Sequence, residues 1–349
     1  MKLNNSFKIA NKTIGGDSPT FIIAEMSGNH GHDLQKAKDI IFAAKESGAD
    51  AIKLQTYTPD TITLNSDAPH FFIKEGPWRG QTLYQLYAQA YTPWEWHPEL
   101  KDLANNIGLI FFSSPFDFSS VDFLEELNCP AYKIASPEII DIPLIQKVAR
   151  TGKPLIFSTG NATLAEINEA INAALELGSQ NIALLKCTST YPAPPEKINL
   201  ATIPHMKQSF KCPVGLSDHT LGIGVPIASI GLGASIIEKH FIIDRNDDSA
   251  DNFFSATTDE FKAMVTGIRA AEKAVGTVTY PVTIQKPQRS IIVTKDIKTG
   301  DVLNEQNIKS LRPGGGILPK DYAKIVNRKA ACNIPKGSLL IWDMVGAYK

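Results

Sequence analysis

The sequence predicts an α/β protein, a (β/α)8 (TIM) barrel carrying a small, mainly β C-terminal domain. Three observations lead there. Between residue 20 and about residue 275, eight short apolar runs alternate with longer amphipathic stretches, the rhythm of βα units around a parallel sheet. Eight such units in about 255 residues match the usual size of a closed barrel, whereas an open doubly wound sheet needs a switch point that cannot be located here. From residue 290 the chain changes character, holding ten Lys plus Arg against five Asp plus Glu.

In chain order the runs are FIIAE from Phe21, AIKLQT from Ala51, LIFFSS from Leu109, AYKIAS from Ala131, PLIFSTG from Pro154, IALLKCT from Ile182, VGLSD from Val214 and IIEKHF from Ile236. Each is mostly apolar at its start, as a strand covered on both faces must be. Thr92, Pro93 and Glu95 read as an N-cap, first-turn proline and capping-box carboxylate. Thr163 with Glu166 repeats the capping pattern ahead of a helix to about Leu177. The connection from Tyr57 to Tyr91, containing GPWRGQTLYQLYAQAY, exceeds a normal loop. A connection of that length reads as a functional lid or substrate wall, or else a disordered insert, and its aromatic content argues against disorder.

The helical pattern stops near Gly276 in a stretch with two prolines, which sets the expected domains at 1–275 and 290–349 with a linker over 276–289. In the tail, SIIVTKDIKTGDVL and NIPKGSLLIWDMV read as two strand-turn-strand units about Lys-Thr-Gly-Asp and Pro-Lys-Gly-Ser turns. The tail carries a net +5 and the rest of the chain −6, a contrast that favours docking of the tail on a barrel.

Composition narrows the function classes. The 349 residues are 43% hydrophobic and 20% charged with a formal net charge of −1, so no general electrostatic attraction to nucleic acid or anionic lipid is expected. No stretch approaches the roughly 18 apolar residues of a membrane span, and MKLNNSFKIANK lacks the apolar centre of a secretion signal. The expected location is cytoplasmic. Cys129, Cys187, Cys212 and Cys332 are scattered, and reduced thiols are expected.

Where each run turns polar, the chemistry begins, because barrel sites form at the carboxyl ends of the strands. Those ends carry Glu25, Lys53, Gln55, Ser114, Lys133, Ser136, Ser158, Lys186, Ser217, Asp218, His219, Glu238 and His240. Lys53, Lys133 and Lys186 lie inside otherwise buried runs, where an unpaired ammonium costs several kcal/mol. Internal carboxylates such as Glu25, Glu138 and Glu238 could neutralise some of them. A phosphate- or carboxylate-bearing substrate, assisted by Ser114, Ser136, Ser158 and Ser217, would explain them better. His219 and His240 end neighbouring strands, with Glu25 on the strand that closes the ring, a plausible N/O set for Mn²⁺, Zn²⁺ or a similar divalent ion.

These same segments, FIIAEMSGNHG, AIKLQ, SSPF, YKIAS, STG, LKCTSTYP, GLSDHT, EKHF and SLRPGGG, occur in order over almost the whole chain and resemble the sialic acid synthase family. TLYQLYAQAYTPWEWH, FFSSPF, YKIAS and KCTSTYP resemble its pseudaminate branch more than its N-acetylneuraminate branch. Ser189 and Ser114 stand where the neuraminate branch usually has Asn and Thr, and the segment before Asp251 lacks the usual glycine-proline pair.

The resemblance implies a metal-dependent condensation of phosphoenolpyruvate with an N-acetylated amino sugar, giving a nine-carbon keto acid and phosphate. In the pseudaminate branch that sugar is 2,4-diacetamido-2,4,6-trideoxy-L-altrose. It implies His219 and His240 as metal ligands, with Mn²⁺ foremost and Mg²⁺ or Co²⁺ as alternatives, and Glu25 as the acid near the aldehyde. Lys53, Ser114, Lys133, Ser136, Ser158 and Ser217 become phosphoenolpyruvate contacts, with Glu138 and Tyr191 nearby and Asp251 on the sugar. The tail resembles an antifreeze-like (SAF) domain, exchanged across a homodimer so that Arg312 reaches the acyl group in the partner's barrel. Three alternatives stand beside this reading: the same chemistry on a neuraminate or legionaminate precursor, a metal-dependent aldolase, and a non-catalytic ice- or glycan-binding protein.

Overall fold

The computed structural model describes residues 2–280 and 288–348, so residues 281–287 of the expected linker lie outside the described residues. The chain divides into two compact units, Met1–Gly276 and Thr277–Lys349.

The first unit opens with a hairpin of β1 (Ser6–Ile9) and β2 (Lys12–Gly15). Eight strands follow: β3 (Phe21–Glu25), β4 (Ala51–Thr56), β5 (Ile110–Pro115), β6 (Tyr132–Ile134), β7 (Leu155–Ser158), β8 (Ile182–Cys187), β9 (Val214–Asp218) and β10 (Ile236–His240). They close in sequence order, β10 pairing in parallel with both β9 and β3, and helices run between them. The expected barrel is therefore present, strand for strand.

Its packing follows from side-chain parity. Alternate positions such as Ile22, Ala24, Ile52, Leu54, Phe111, Leu184 and Leu216 pack outward against the helices. The helix Leu34–Glu46 answers with Ala37, Ile40, Ile41 and Ala44, a stripe at helical spacing, and Asp33 caps its first turn. The opposite parity points into the barrel, where Phe21, Ile23, Ala51, Ile110, Phe112, Ala131, Ile156, Ala183, Leu185 and Ile236 form a second core. Phe7, Ile9 and Ile14 of the hairpin join that core and plug the amino end of the barrel. Sequence reading from residue 20 overlooked this plug, although its apolar alternation in FKI and TI was available. Gly15 is obligatory there: its φ is +81°, and a Cβ would stand 2.6 Å from the Asn5 carbonyl oxygen.

Thr163 and Glu166 form the expected capping box, and the helix runs Leu164–Leu175. The Thr92 pattern is corrected. A 3-10 turn Trp94–Trp96 follows it, the α-helix begins only at His97, and the Thr92 hydroxyl bonds His30 Nε2 at 3.0 Å. The buried imidazole outcompetes the helix start for the only hydroxyl.

In the second unit, β11 (Ser290–Val293) pairs with β12 (Ile308–Leu311), and β13 (Arg328–Ala330) with β14 (Val345–Tyr348). Both expected turns form, with Gly300 and Gly337 at φ +89° and +90°. The hairpins expected around them do not. Ile297 bridges Ile334, Ile292 bridges Leu339 and Val302 bridges Lys329, so the arms of each turn pair across the unit instead of with each other. A core of Ile291, Val293, Leu303, Ile308, Ile325 and Leu340 holds this small fold together.

Candidate active site

Toward the carboxyl end of the strands the inward positions change from apolar to polar. Glu25, Lys53, Gln55, Ser114, Lys133, Ser136, Ser158, Cys187, Tyr191, Ser217, His219, Glu238 and His240 line one cavity there. Two ammonium groups sit within it. Lys53 Nζ lies 2.5 Å from Glu25 Oε2 and 3.3 Å from Ser114 Oγ, and Lys133 Nζ donates to Glu238 Oε1 at 3.1 Å. Glu238 also accepts from Ser217 Oγ at 3.0 Å, and its second oxygen stands 3.9 Å from Lys53 Nζ. Burial opposes charge on these groups, yet the flanking carboxylates hold the Lys53 ammonium above its ordinary range and the two lysines hold Glu238 below its own. Gln55 Nε2 donates to Glu25 Oε1 at 2.9 Å and fixes that carboxylate's orientation. Ser158 Oγ is buried without a hydrogen-bond partner among the described residues, a donor left available to a ligand oxygen.

The two imidazoles stand together, ring centroids 5.3 Å apart. His219 Nδ1 is 3.0 Å from the Thr188 carbonyl oxygen, and His240 Nδ1 is 3.4 Å from Asp251 Oδ2. The His219 contact directs Nδ1 to a carbonyl oxygen and leaves its Nε2 as the free lone pair, whereas His240 Nδ1 is buried without a hydrogen-bond partner among the described residues. Among the described residues no group of three or more His, Cys, Asp or Glu side chains is arranged to hold a metal ion. The two adjacent imidazoles are the donors that would hold a divalent ion here, an open set with positions to spare. Burial opposes ionisation of Asp251, but the His240 contact and others hold its carboxyl below the usual range. Burial likewise works against the Cys187 thiolate, yet His219 and Ser136 bring the thiol down to about 6.

Most of the expected site residues thus converge on one mouth. Glu138 sits beside it in the turn Pro137–Ile140, its carboxyl pushed up to about 7 by burial. Asp251 stands behind His240, and Arg312 belongs to the second unit. Lys186 is a correction. Its neighbours Leu185 and Cys187 face the barrel interior, so Lys186 faces outward, half-buried, and bonds the Cys187 carbonyl at 2.6 Å and Thr188 Oγ1 at 3.1 Å. Asp218 also faces outward, 2.5 Å from Lys239 Nζ, a fully buried ion pair that is structural.

Sequence reasoning missed Trp78, whose indole reaches from the long connection to 5.8 Å from Tyr191, a residue of the cavity wall. The aromatic richness of that segment was the signal; its target was not legible.

A closed parallel barrel whose carboxyl mouth gathers buried lysines, serine hydroxyls and two adjacent imidazoles has the layout of a small-molecule enzyme. Comparison with known proteins makes this specific. Residues 40–280 match the NeuB family and residues 288–346 the SAF domain, and the chain belongs to the NeuB family. It is 46% identical over 319 residues to pseudaminic acid synthase of Helicobacter pylori, covering 90% of this chain and 94% of that one. It is 37% identical to N,N'-diacetyllegionaminic acid synthase of Legionella pneumophila, covering 96% and 97%. The structure of N-acetylneuraminic acid synthetase from Leptospira borgpetersenii, in complex with citrate, superposes with a TM-score of 0.72 at 31% identity over 81% of this chain and 94% of that one. The chain is an enzyme of this synthase family.

Proposed function

We propose that the protein condenses phosphoenolpyruvate with an N-acetylated amino sugar, foremost 2,4-diacetamido-2,4,6-trideoxy-L-altrose, to give a nonulosonic acid of the pseudaminic type and phosphate. The observation that carries this is the pairing, in one cavity, of two buried lysines and four serine hydroxyls with two adjacent imidazoles.

Lys53 and Lys133 bind the carboxylate and phosphate of phosphoenolpyruvate, with Ser114, Ser136 and Ser158 donating to their remaining oxygens and Ser217 beside them, its proton shared with Glu238. This anchors C3 of the enol facing the open-chain sugar aldehyde, converting a bimolecular encounter into a positioned one. C3 attacks the aldehyde carbon, the carbonyl π pair moves to its oxygen as an alkoxide that takes up a proton, and cationic character appears at C2. Water adds there with loss of a proton, and the tetrahedral centre collapses to the ketone as phosphate departs. Glu25, oriented by Lys53 and Gln55, orients that water and handles its proton. Asp251 and Tyr191 bind the sugar beside the imidazoles. A divalent ion held by His219 and His240, Mn²⁺ foremost, would supply Lewis acidity toward a carbonyl. Arg312 of a second copy, in a domain-swapped homodimer, is assigned to the acyl group.

The test is phosphate release from phosphoenolpyruvate against a panel of amino sugars. Release with the trideoxy sugar and little with N-acetylmannosamine supports the reading; keto-sugar cleavage without phosphate release would replace it with an aldolase. Chelation should abolish turnover and Mn²⁺ restore it, and full turnover in metal-stripped protein removes the metal from the proposal. For Arg312→Ala, an unchanged sugar KM removes that contact.

A further inference from the structure

Within the long connection, Ile73 N–H donates to the Gln81 carbonyl at 2.9 Å, Gly80 N–H donates back to Ile73 at 3.0 Å, and Phe72 bridges Thr82. Residues 74–80 therefore project as a hairpin tip, turned at Gly76 and Gly80 with φ of +82° and +91°. Every residue of the tip is exposed except Trp78. Its indole N–H donates to the Ala250 carbonyl at 3.0 Å, and its ring lies 5.8 Å from Tyr191 and 5.9 Å from Phe253. Tyr191 in turn packs 4.4 Å from His219, and Phe254 4.7 Å from His240. One aromatic wall thus runs from the tip to the two imidazoles. Trp78 also lines a neighbouring cavity of about 550 Å³ with Gln81, Gln89 and Asn252.

We propose that Trp78 is a specificity-determining residue, closing the outer end of the sugar subsite with an apolar ring face that accepts a deoxygenated carbon and disfavours a hydroxyl. This rests on the function proposed above and names what the acceptor's far end must look like. The only polar atom of the indole is already engaged by Ala250, so Trp78 itself offers ring carbon alone. A methyl packed on the ring face leaves water at a gain, whereas a hydroxyl turned to that face gives up a water partner and receives none from the ring. Polar recognition lies alongside: Gln81 Oε1 is buried with no hydrogen-bond partner among the described residues, an acceptor suited to the N–H of an acylamino substituent.

The experiment measures phosphate release with 2,4-diacetamido-2,4,6-trideoxy-L-altrose and with the same sugar bearing a 6-hydroxyl, for wild type, Trp78→Ala and Trp78→Phe. Wild type should favour the deoxy sugar in kcat/KM. Trp78→Ala should raise the KM for that sugar about tenfold and abolish the preference, with the KM for phosphoenolpyruvate within about twofold of wild type. Trp78→Phe, which keeps a ring and guards against a folding defect in the alanine variant, should retain most of the preference. The assignment is overturned if wild type is indifferent to the 6-hydroxyl or if Trp78→Ala keeps sugar KM and preference. It is also overturned if both substrates' KM values rise together, the mark of a mere structural prop. Wild-type protein that releases no phosphate with any acylated amino sugar overturns the function itself, and this assignment with it.

Discussion

The two ends of the barrel interior are built from the same strands and obey opposite rules. On β5, Phe112 belongs to the apolar plug while Ser114 lines the mouth; on β7 the contrast is Ile156 with Ser158, and on β10 Ile236 with Glu238 and His240. Two residues along one strand, about 7 Å, separate the regimes. The amino end excludes water and stabilises the fold by burying apolar area. The carboxyl end holds buried ion pairs whose desolvation offsets much of their mutual attraction, so it contributes recognition more than stability.

The sharpest way to break this contrast is to extend the apolar layer upward. Replacing the Lys133 and Glu238 pair together, as Lys133→Met/Glu238→Leu, should lower phosphate release by more than about a thousandfold, since the anion loses a charged anchor in a dry site. Chemical unfolding of the same variant should show stability within about 2 kcal/mol of wild type, because both partners of the main ion pair leave at once and Lys53 keeps Glu25 while Ser217 loses its acceptor. Retained turnover would show that this pair is scaffold.

The reverse test lies at the plug. Phe112→Ala should cost about 3–5 kcal/mol by leaving a cavity in the inner core. The kcat per folded molecule should not change, and a parallel loss of kcat would mean that the two ends are mechanically coupled.

This layering also explains what was legible in the sequence. The eight strands were, because each begins apolar and ends polar, and Lys53, Lys133 and the histidines announced themselves by position. Lys186 misled because a strand covered on both faces is apolar at every position, so the parity that faces the barrel interior cannot be read from it. Only closure put Leu185 and Cys187 inward and turned Lys186 out. In the tail the turns at Gly300 and Gly337 were local and readable, whereas the bridges Ile297 to Ile334 and Ile292 to Leu339 depend on partners distant in sequence. The same applies to Trp78, whose partners Tyr191, Ala250 and Phe253 lie far along the chain.

Two further buried histidines, His30 and His97, lie outside the barrel interior and are structural. Burial holds His30 down to about 3 and His97 down to about 4. In the unfolded chain each binds a proton near 6.5. Between that value and the folded one, the unfolded state therefore carries more protons, and stability falls as pH falls. At pH 5 each imidazole should withhold about 2 kcal/mol relative to neutral pH. Urea titrations at pH 5 and 7.5 on wild type and on His30→Gln/His97→Gln measure it; equal pH slopes in the two proteins would refute the assignment.

The smallest effect probes the mouth without disturbing its charges. Ser114 Oγ lies 3.3 Å from Lys53 Nζ, which keeps its Glu25 partner when the hydroxyl is removed. Ser114→Ala should therefore leave the fold and the amino sugar KM unchanged while raising the KM for phosphoenolpyruvate about fivefold, the value of one hydrogen bond near 1 kcal/mol. Ser114→Thr keeps the hydroxyl and should recover most of that affinity. If the alanine variant instead weakens the sugar and spares phosphoenolpyruvate, the anion lies elsewhere in the cavity and the division of labour between the lysines and the histidines must be reversed.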